Sequence, residues 1–156
     1  MQPIQVPITG REYSGNRASP PQALSHFYAA FNQRDMVAVS ESWAHTDDIS
    51  MDNPVGGIKR GWNELQAVYQ KIFNGPAHVY VEYYDYTIHE TKEMFYAVGR
   101  ERGHFRTGEI ELALLIRTSR IFSKINGTWR QVHHHGSIDD PKLLTLYQDA
   151  VLGTTS

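Results

Sequence analysis

Three consecutive histidines, His133-His134-His135, are the residues whose type offers the most direct chemistry, because imidazoles both ligate metals and carry protons near neutral pH. They sit in a run of β-favouring residues, Thr128 to Ser137, where successive side chains point to opposite faces. His133 and His135 therefore share one face and His134 takes the other. A regular strand cannot bring all three to one metal. Two histidines on one face would need a carboxylate or a third imidazole from another strand, and nothing in the spacing identifies one, so no metal site is expected. His134 is left as a single acid or base if a pocket lies on its side, or else as a hydrogen-bonded structural histidine.

Arginines are the second candidates. Alternation along the segment beginning at Met94 places Val98, Arg100, Arg102 and His104 on one face, and Thr118, Arg120 and Phe122 on one face of the next strand. A single bulge would exchange Arg117 for Arg120. Guanidinium groups turned into an apolar cavity are costly unless paired, so Arg100 and Arg120 facing inward would favour a carboxylate or phosphate on a small molecule. The alternatives are pairing with Glu82, Asp52 or Asp85, or a place on the outer face of the sheet.

These strands need partners to position them. Met1 to Arg17 alternates Pro, Gly and Gln with isolated Ile and Val, and reads as an arm, flexible or laid over a neighbouring surface, ahead of a single domain over 19–153. Ser19-Pro20 is a helix start, with Leu24, Phe27, Tyr28 and Phe31 at helical spacing. Asp35 caps a shorter helix carrying Met36, Val39 and Trp43, and Ile49 to Asp52 has the pattern of a short strand. After the Asn53-Pro54 and Gly56-Gly57 loop, Trp62, Leu65, Tyr69, Ile72 and Phe73 form the stripe of a third helix, which Asn74-Gly75-Pro76 stops. The period then changes to two over Val79–Ile88, Met94–Arg102, Ala113–Ile125 and Thr128–Ser137, which predicts four long antiparallel strands. Asn126-Gly127 suits the two-residue turn joining the last two, and this use outweighs the glycosylation pattern made with Thr128. Asp140-Pro141 opens a C-terminal helix. Helices followed by a meander of strands predict an α+β domain in which helices cover the concave face of a curved sheet, with a ligand site between the layers. Tyr28 and Trp43 would line that gap, Tyr28 as a hydrogen-bond donor to a bound oxygen or simply as a core aromatic.

Composition narrows the classes. Apolar residues make up 40% of the 156 and aromatic residues 12%, enough for one packed core. Fifteen basic against 17 acidic residues, without a basic stripe, give nucleic-acid binding little support. The absence of cysteine excludes a disulfide framework, a thiolate nucleophile and a cysteine-held zinc. No apolar run suits a membrane span or signal peptide, so a cytoplasmic protein is expected, and no cofactor fingerprint is present.

The helix, short helix, Asn53-Pro54 loop, Gly61-Trp62 helix start and the ending Asn126-Gly127-Thr128-Trp129-Arg130-Gln131-Val132-His133-His134-His135-Gly136-Ser137 together resemble the nuclear transport factor 2-like superfamily over roughly residues 20 to 140. The final strand is similar to the tryptophan-to-histidine segment of SnoaL-like proteins and of the calcium/calmodulin-dependent kinase II association domain. The resemblance implies a cone-shaped α+β fold and a homodimer through the outer face of the sheet, with His133, His135 and Gln131 on that face. It places Arg100 and Arg120 at two of the three pocket arginines of the association domain, the third falling at Gly136, and it turns His134 toward the pocket. It also aligns Asn53 with the general-base aspartate of ketosteroid isomerases, a role an amide cannot fill and one that Asp52, a step away on the opposite face, serves poorly. Because the superfamily holds isomerases, cyclases, dehydratases, epoxide hydrolases and non-catalytic modules, two functions stand. One is a small-molecule-binding protein with a pocket for an anionic or carbonyl-bearing ligand and lyase, isomerase or cyclase chemistry; the other is a non-catalytic oligomerisation or interaction module.

Overall fold

The computed structural model describes residues 1–153. Its elements run α1 (Pro20–Asn32), α2 (Met36–Ser42), β1 (Ser50–Asp52), β2 (Lys59–Arg60), α3 (Gly61–Asn74), β3 (His78–Glu90), β4 (Met94–Thr107), β5 (Ile110–Ile125), β6 (Thr128–Ser137) and α4 (Pro141–Leu152). The capping chemistry follows the sequence: Ser19, Asp35 and Asp140 each accept a backbone N–H of the first turn of α1, α2 and α4. Asn126 and Gly127 both hold positive φ, as the tight turn between β5 and β6 requires.

The six strands form one sheet in the order β2-β1-β6-β5-β4-β3. Every pairing is antiparallel except that of β1 with β6, which is parallel and sets Ser50 beside His133 and Asp52 beside His135. This is the α+β arrangement with a curved open sheet and N-terminal helices that the pattern predicts. β4 and β5 run farther than alternation alone suggests, to Thr107 and from Ile110, because Gly108 at φ 56° turns the chain between them. The two-residue β2, exposed and polar, has no hydrophobic pattern to reveal it.

Two irregularities shape the sheet. In β3 the register jumps between Tyr84 and Thr87, where Asp85 takes φ 51°. Opposite it, Gly99 of β4 lets the backbones close in, since a Cβ there would lie 2.7 Å from the Tyr86 Cβ, and Gly103, paired with Val81, does the same farther along, where a Cβ would lie 1.8 Å from the Tyr80 carbonyl oxygen. In β6 an extra residue, Val132, falls between the Phe122–Gln131 and Ile121–His133 pairs. The N-terminal arm lies along β3, with the amides of Ile4 and Ile8 donating to the carbonyls of Tyr86 and Tyr83 at 2.8 and 2.7 Å. It thus covers an otherwise open sheet edge.

The core lies between the sheet and α1, built on Leu24, Phe27, Tyr83, Phe95, Phe122 and Trp129, all at most 2% exposed. Burying each such side chain is worth about 1.5–3 kcal/mol. Among the described residues no helix is long and apolar enough to cross a membrane.

Candidate functional site

A cavity of about 840 Å³ opens between the inner face of the sheet and α1, α3 and α4. Its walls are mostly apolar, from Phe27, Val68, Phe105, Leu114, Ile116 and Val151 among others, while Glu101, Arg120 and His134 bring charge and hydrogen-bonding capacity to its floor. Strand alternation puts them there. Phe95, Ala97, Glu101 and Phe105 are the buried residues of β4, and Leu114, Ile116, Thr118, Arg120 and Phe122 those of β5.

Arg120 is 3% exposed and tied on three sides. Its Nε donates to the Tyr28 hydroxyl at 3.2 Å, one terminal nitrogen to Gln131 Oε1 at 2.8 Å, and the other to Glu101 Oε2 at 3.1 Å. Glu101 is saturated in turn, accepting from Tyr28 at 2.6 Å and from Thr118 Oγ1 at 2.9 Å. The Gln131 amide donates onward to Ser42 Oγ at 2.9 Å. The guanidinium also lies 4.0 Å over the Phe27 ring. Burial lowers the pKa of Arg120 and its neighbours, Tyr28 and Glu101 foremost, more than restore it, so the net shift is upward and it stays charged. Tyr28 moves well above its usual value, by burial first and despite the Arg120 charge.

His134 stands opposite Arg120 in the β5–β6 register and lines the cavity. Its pKa is driven well below the ordinary imidazole value by burial and then by the Arg120 charge. Its Nδ1 is buried without a hydrogen-bond partner.

Of the residues singled out in the sequence, Arg120, His134 and Asn53 line the cavity. Asn53 Oδ1 is committed to the Val55 amide at 3.1 Å, as a loop-closing group. Tyr28 lies behind the floor with its hydroxyl both donating to Glu101 and accepting from Arg120, so it is not free to meet a ligand oxygen. Trp43 is fully buried and donates to the Tyr69 hydroxyl at 3.2 Å, outside the lining.

Tyr28 and Trp43 thus do not line the gap as expected, and two further expectations need correction. Arg100 does not reach the pocket: it lies on the outer face of β4, its Nε 3.3 Å from Asp85 Oδ2. The face of β4 that carries Arg100, Arg102 and His104 is the charged, outer one; the inner face is the other. Gln131 is fully buried rather than on the outer face, because the extra residue Val132 reverses the alternation between Gln131 and His134 and turns both inward. Glu101 was missed altogether. The signal for it was the opposite parity of β4, where Phe95, Ala97, Gly99, Gly103 and Phe105 mark an apolar face with one carboxylate in it.

The SnoaL-like domain family matches residues 21–141. No curated protein sequence matches the chain. Among solved structures it is similar to a protein from Streptomyces avermitilis suggested to be a dehydratase of the NTF2-like family, at TM-score 0.67 and 17% identity over 74% of this chain and 90% of that one. It is also similar to a ketosteroid isomerase-like protein from Erwinia carotovora, at TM-score 0.65 and 20% identity over 83% and 100% of the two chains. A Caulobacter vibrioides protein with a cystatin-like fold gives TM-score 0.62 and 19% identity over 85% and 94%. At such identities the likeness is one of fold. The chain belongs to the SnoaL-like domain family, and its fold is like that of NTF2-like structures.

Proposed function

We propose that the cavity binds a small, largely apolar molecule bearing a carbonyl oxygen, held over Arg120 and His134. The observation that carries this reading is the floor itself: a guanidinium already neutralised by Glu101, beside a buried imidazole, beneath apolar walls. Three of the five guanidinium N–H groups are engaged by Tyr28, Gln131 and Glu101, and the Tyr69 hydroxyl on the cavity wall also interacts with Arg120. An N–H not held by these partners can serve a ligand oxygen. Because Glu101 cancels the charge and Arg100 lies outside, a neutral carbonyl fits this floor better than a carboxylate. The same donors would stabilise an oxygen that gains negative charge, as in lyase, isomerase or cyclase chemistry beside a carbonyl, with His134 placed to take or return a proton.

A second reading, a non-catalytic binding or assembly module, draws on one observation: the Arg120 network closes on Tyr28, Glu101, Gln131 and Thr118 in the manner of a structural ion pair.

A panel of apolar ketones and their carboxylate analogues, scored by thermal shift, tests the binding, since a ligand of the native state raises Tm by mass action. Ketones should raise Tm in the wild type and fail to do so in Leu114→Trp, which fills the cavity. Carboxylates giving the larger shift, or no shift from any ketone, would overturn the proposal. Deuterium exchange at the carbon beside the carbonyl, followed by NMR, then separates the two readings: exchange lost in His134→Asn supports catalysis, and binding without exchange supports the module.

A further inference from the structure

His133 and His135, left without a third ligand by their spacing, acquire one from the fold. Parallel pairing of β1 with β6 sets Ser50 beside His133 and Asp52 beside His135, on the face of the sheet opposite the cavity. We propose that Asp52, His133 and His135 form a binding site for a divalent transition-metal ion, with zinc as the reference cation. This site is independent of the cavity and of the function proposed for it.

The geometry is that of two imidazoles and one carboxylate presented from two adjacent strands. A ligand atom from each residue lies within 4.8 Å of the other two. His135 Nδ1 and Asp52 Oδ2 are already 3.0 Å apart. That contact is a hydrogen bond, and two donors bound to one ion at about 2.1 Å each stand roughly 3.0–3.4 Å from one another, so an ion can replace the shared proton with little movement of either group. The His133 donor, within 4.8 Å of both, is the third ligand.

Two further features point to a cation. Asp52 Oδ1 is shielded from solvent yet has no hydrogen-bond partner, and among the described residues no lysine or arginine pairs with this carboxylate. A half-satisfied carboxylate at 25% exposure beside two imidazoles is an unfilled acceptor, and a metal fills it. Ser50 Oγ lies 2.7 Å from His133 Nδ1. Such an outer partner fixes the ring orientation and tautomer and leaves the other ring nitrogen for the ion, as is usual around metal-bound histidines. The donor set selects the class: imidazole with carboxylate suits zinc, nickel, copper or ferrous iron over magnesium or calcium, which prefer all-oxygen shells. Three protein ligands on an accessible face leave at least one position for water or an exogenous ligand. His135 is 54% exposed at its side chain, so the site is open to metal from solution.

The test uses the full chain without a histidine tag, stripped with chelator and titrated with zinc by calorimetry. One saturable ion per chain is expected, with affinity reduced at least about tenfold in each of Asp52→Asn, His133→Asn and His135→Asn. Binding should be unchanged in His104→Asn, a histidine on β4, two strands from β6. Cobalt in place of zinc should give visible absorption bands of a four- or five-coordinate site, absent from Asp52→Asn. Circular dichroism of the three variants, all on the outer face of the sheet, checks that they stay folded; if one does not, the cobalt spectrum of the remaining two decides. Stoichiometric binding that survives all three substitutions, or no saturable binding, overturns the site.

Discussion

The two faces of the sheet carry the same kinds of charged residue and use them in opposite ways. On the inner face, Arg120 and Glu101 are 3% and 6% exposed at their side chains and every bond they make is internal. On the outer face, Arg100 with Asp85 and Arg102 with Glu82 keep 38%, 35%, 45% and 19% exposure, and water shares their charges. A buried pair stands on the balance of a large desolvation cost against a large attraction, so its integrity matters far more than its net value. An exposed pair contributes little either way. Where chemistry is concerned, the inner face is therefore the rigid one: its polar groups are positioned by partners that cannot let go.

The largest effect should come from breaking the inner pair. Glu101→Ala leaves a guanidinium at 3% exposure without its counter-charge and frees the Thr118 and Tyr28 hydroxyls, with an expected loss of about 3–5 kcal/mol. Urea denaturation measures it through the midpoint at unchanged slope. Glu101→Leu combined with Arg120→Met should recover much of that loss, because the desolvation cost disappears with both charges. A single-substitution loss below about 1 kcal/mol would erase the contrast between the faces.

The next largest effect belongs to a buried imidazole. His26 on α1 is 5% exposed, its Nδ1 lacks a partner, and Glu41 stands 3.9 Å from its Nε2 with a mostly exposed carboxylate. Burial first, then the Arg17 charge, lowers its pKa to about 4 from 6.5, Glu41 and Asp35 opposing. The unfolded chain thus binds this proton first, and stability present above pH 6.5 is lost as pH falls toward 4, by roughly 3 kcal/mol for such a shift. His26→Leu should flatten the upper part of that decline in thermal melts taken between pH 7 and 5. An unchanged slope would show that His26 is solvated in a way its burial does not suggest.

Much of the fold was legible because its causes are local. Capping at Ser19, Asp35 and Asp140, the Asn126-Gly127 turn, and the change of period after Pro76 are each written in a few neighbouring residues. The site was legible only in part because its causes are not. Which parity of β4 faced inward could be read from Phe95, Ala97, Gly99 and Phe105, yet the arginines drew attention to the wrong side. The bulge at Val132, which brings Gln131 and His134 to one face, leaves no mark in a strand of ordinary β-formers. Neither does the parallel pairing of three-residue β1 with β6, whose paired residues lie 83 positions apart, on which the Asp52, His133 and His135 cluster depends. Long-range pairing is set by the whole core rather than by either segment.

The smallest effect belongs to the outer pair, and its smallness is the informative part. Arg100→Ala removes a guanidinium whose partner, Asp85, stays in water and also accepts from Gln5 at 2.8 Å. The expected change in stability is below about 1 kcal/mol, and it should shrink further at high salt. Thermal shifts produced by cavity ligands should be the same in Arg100→Ala as in the wild type, since no atom of Arg100 lines the cavity. If ligand-induced stabilisation instead fell with Arg100 removed, the two faces would be coupled through β4, and the inner floor would owe its shape to the charges outside it.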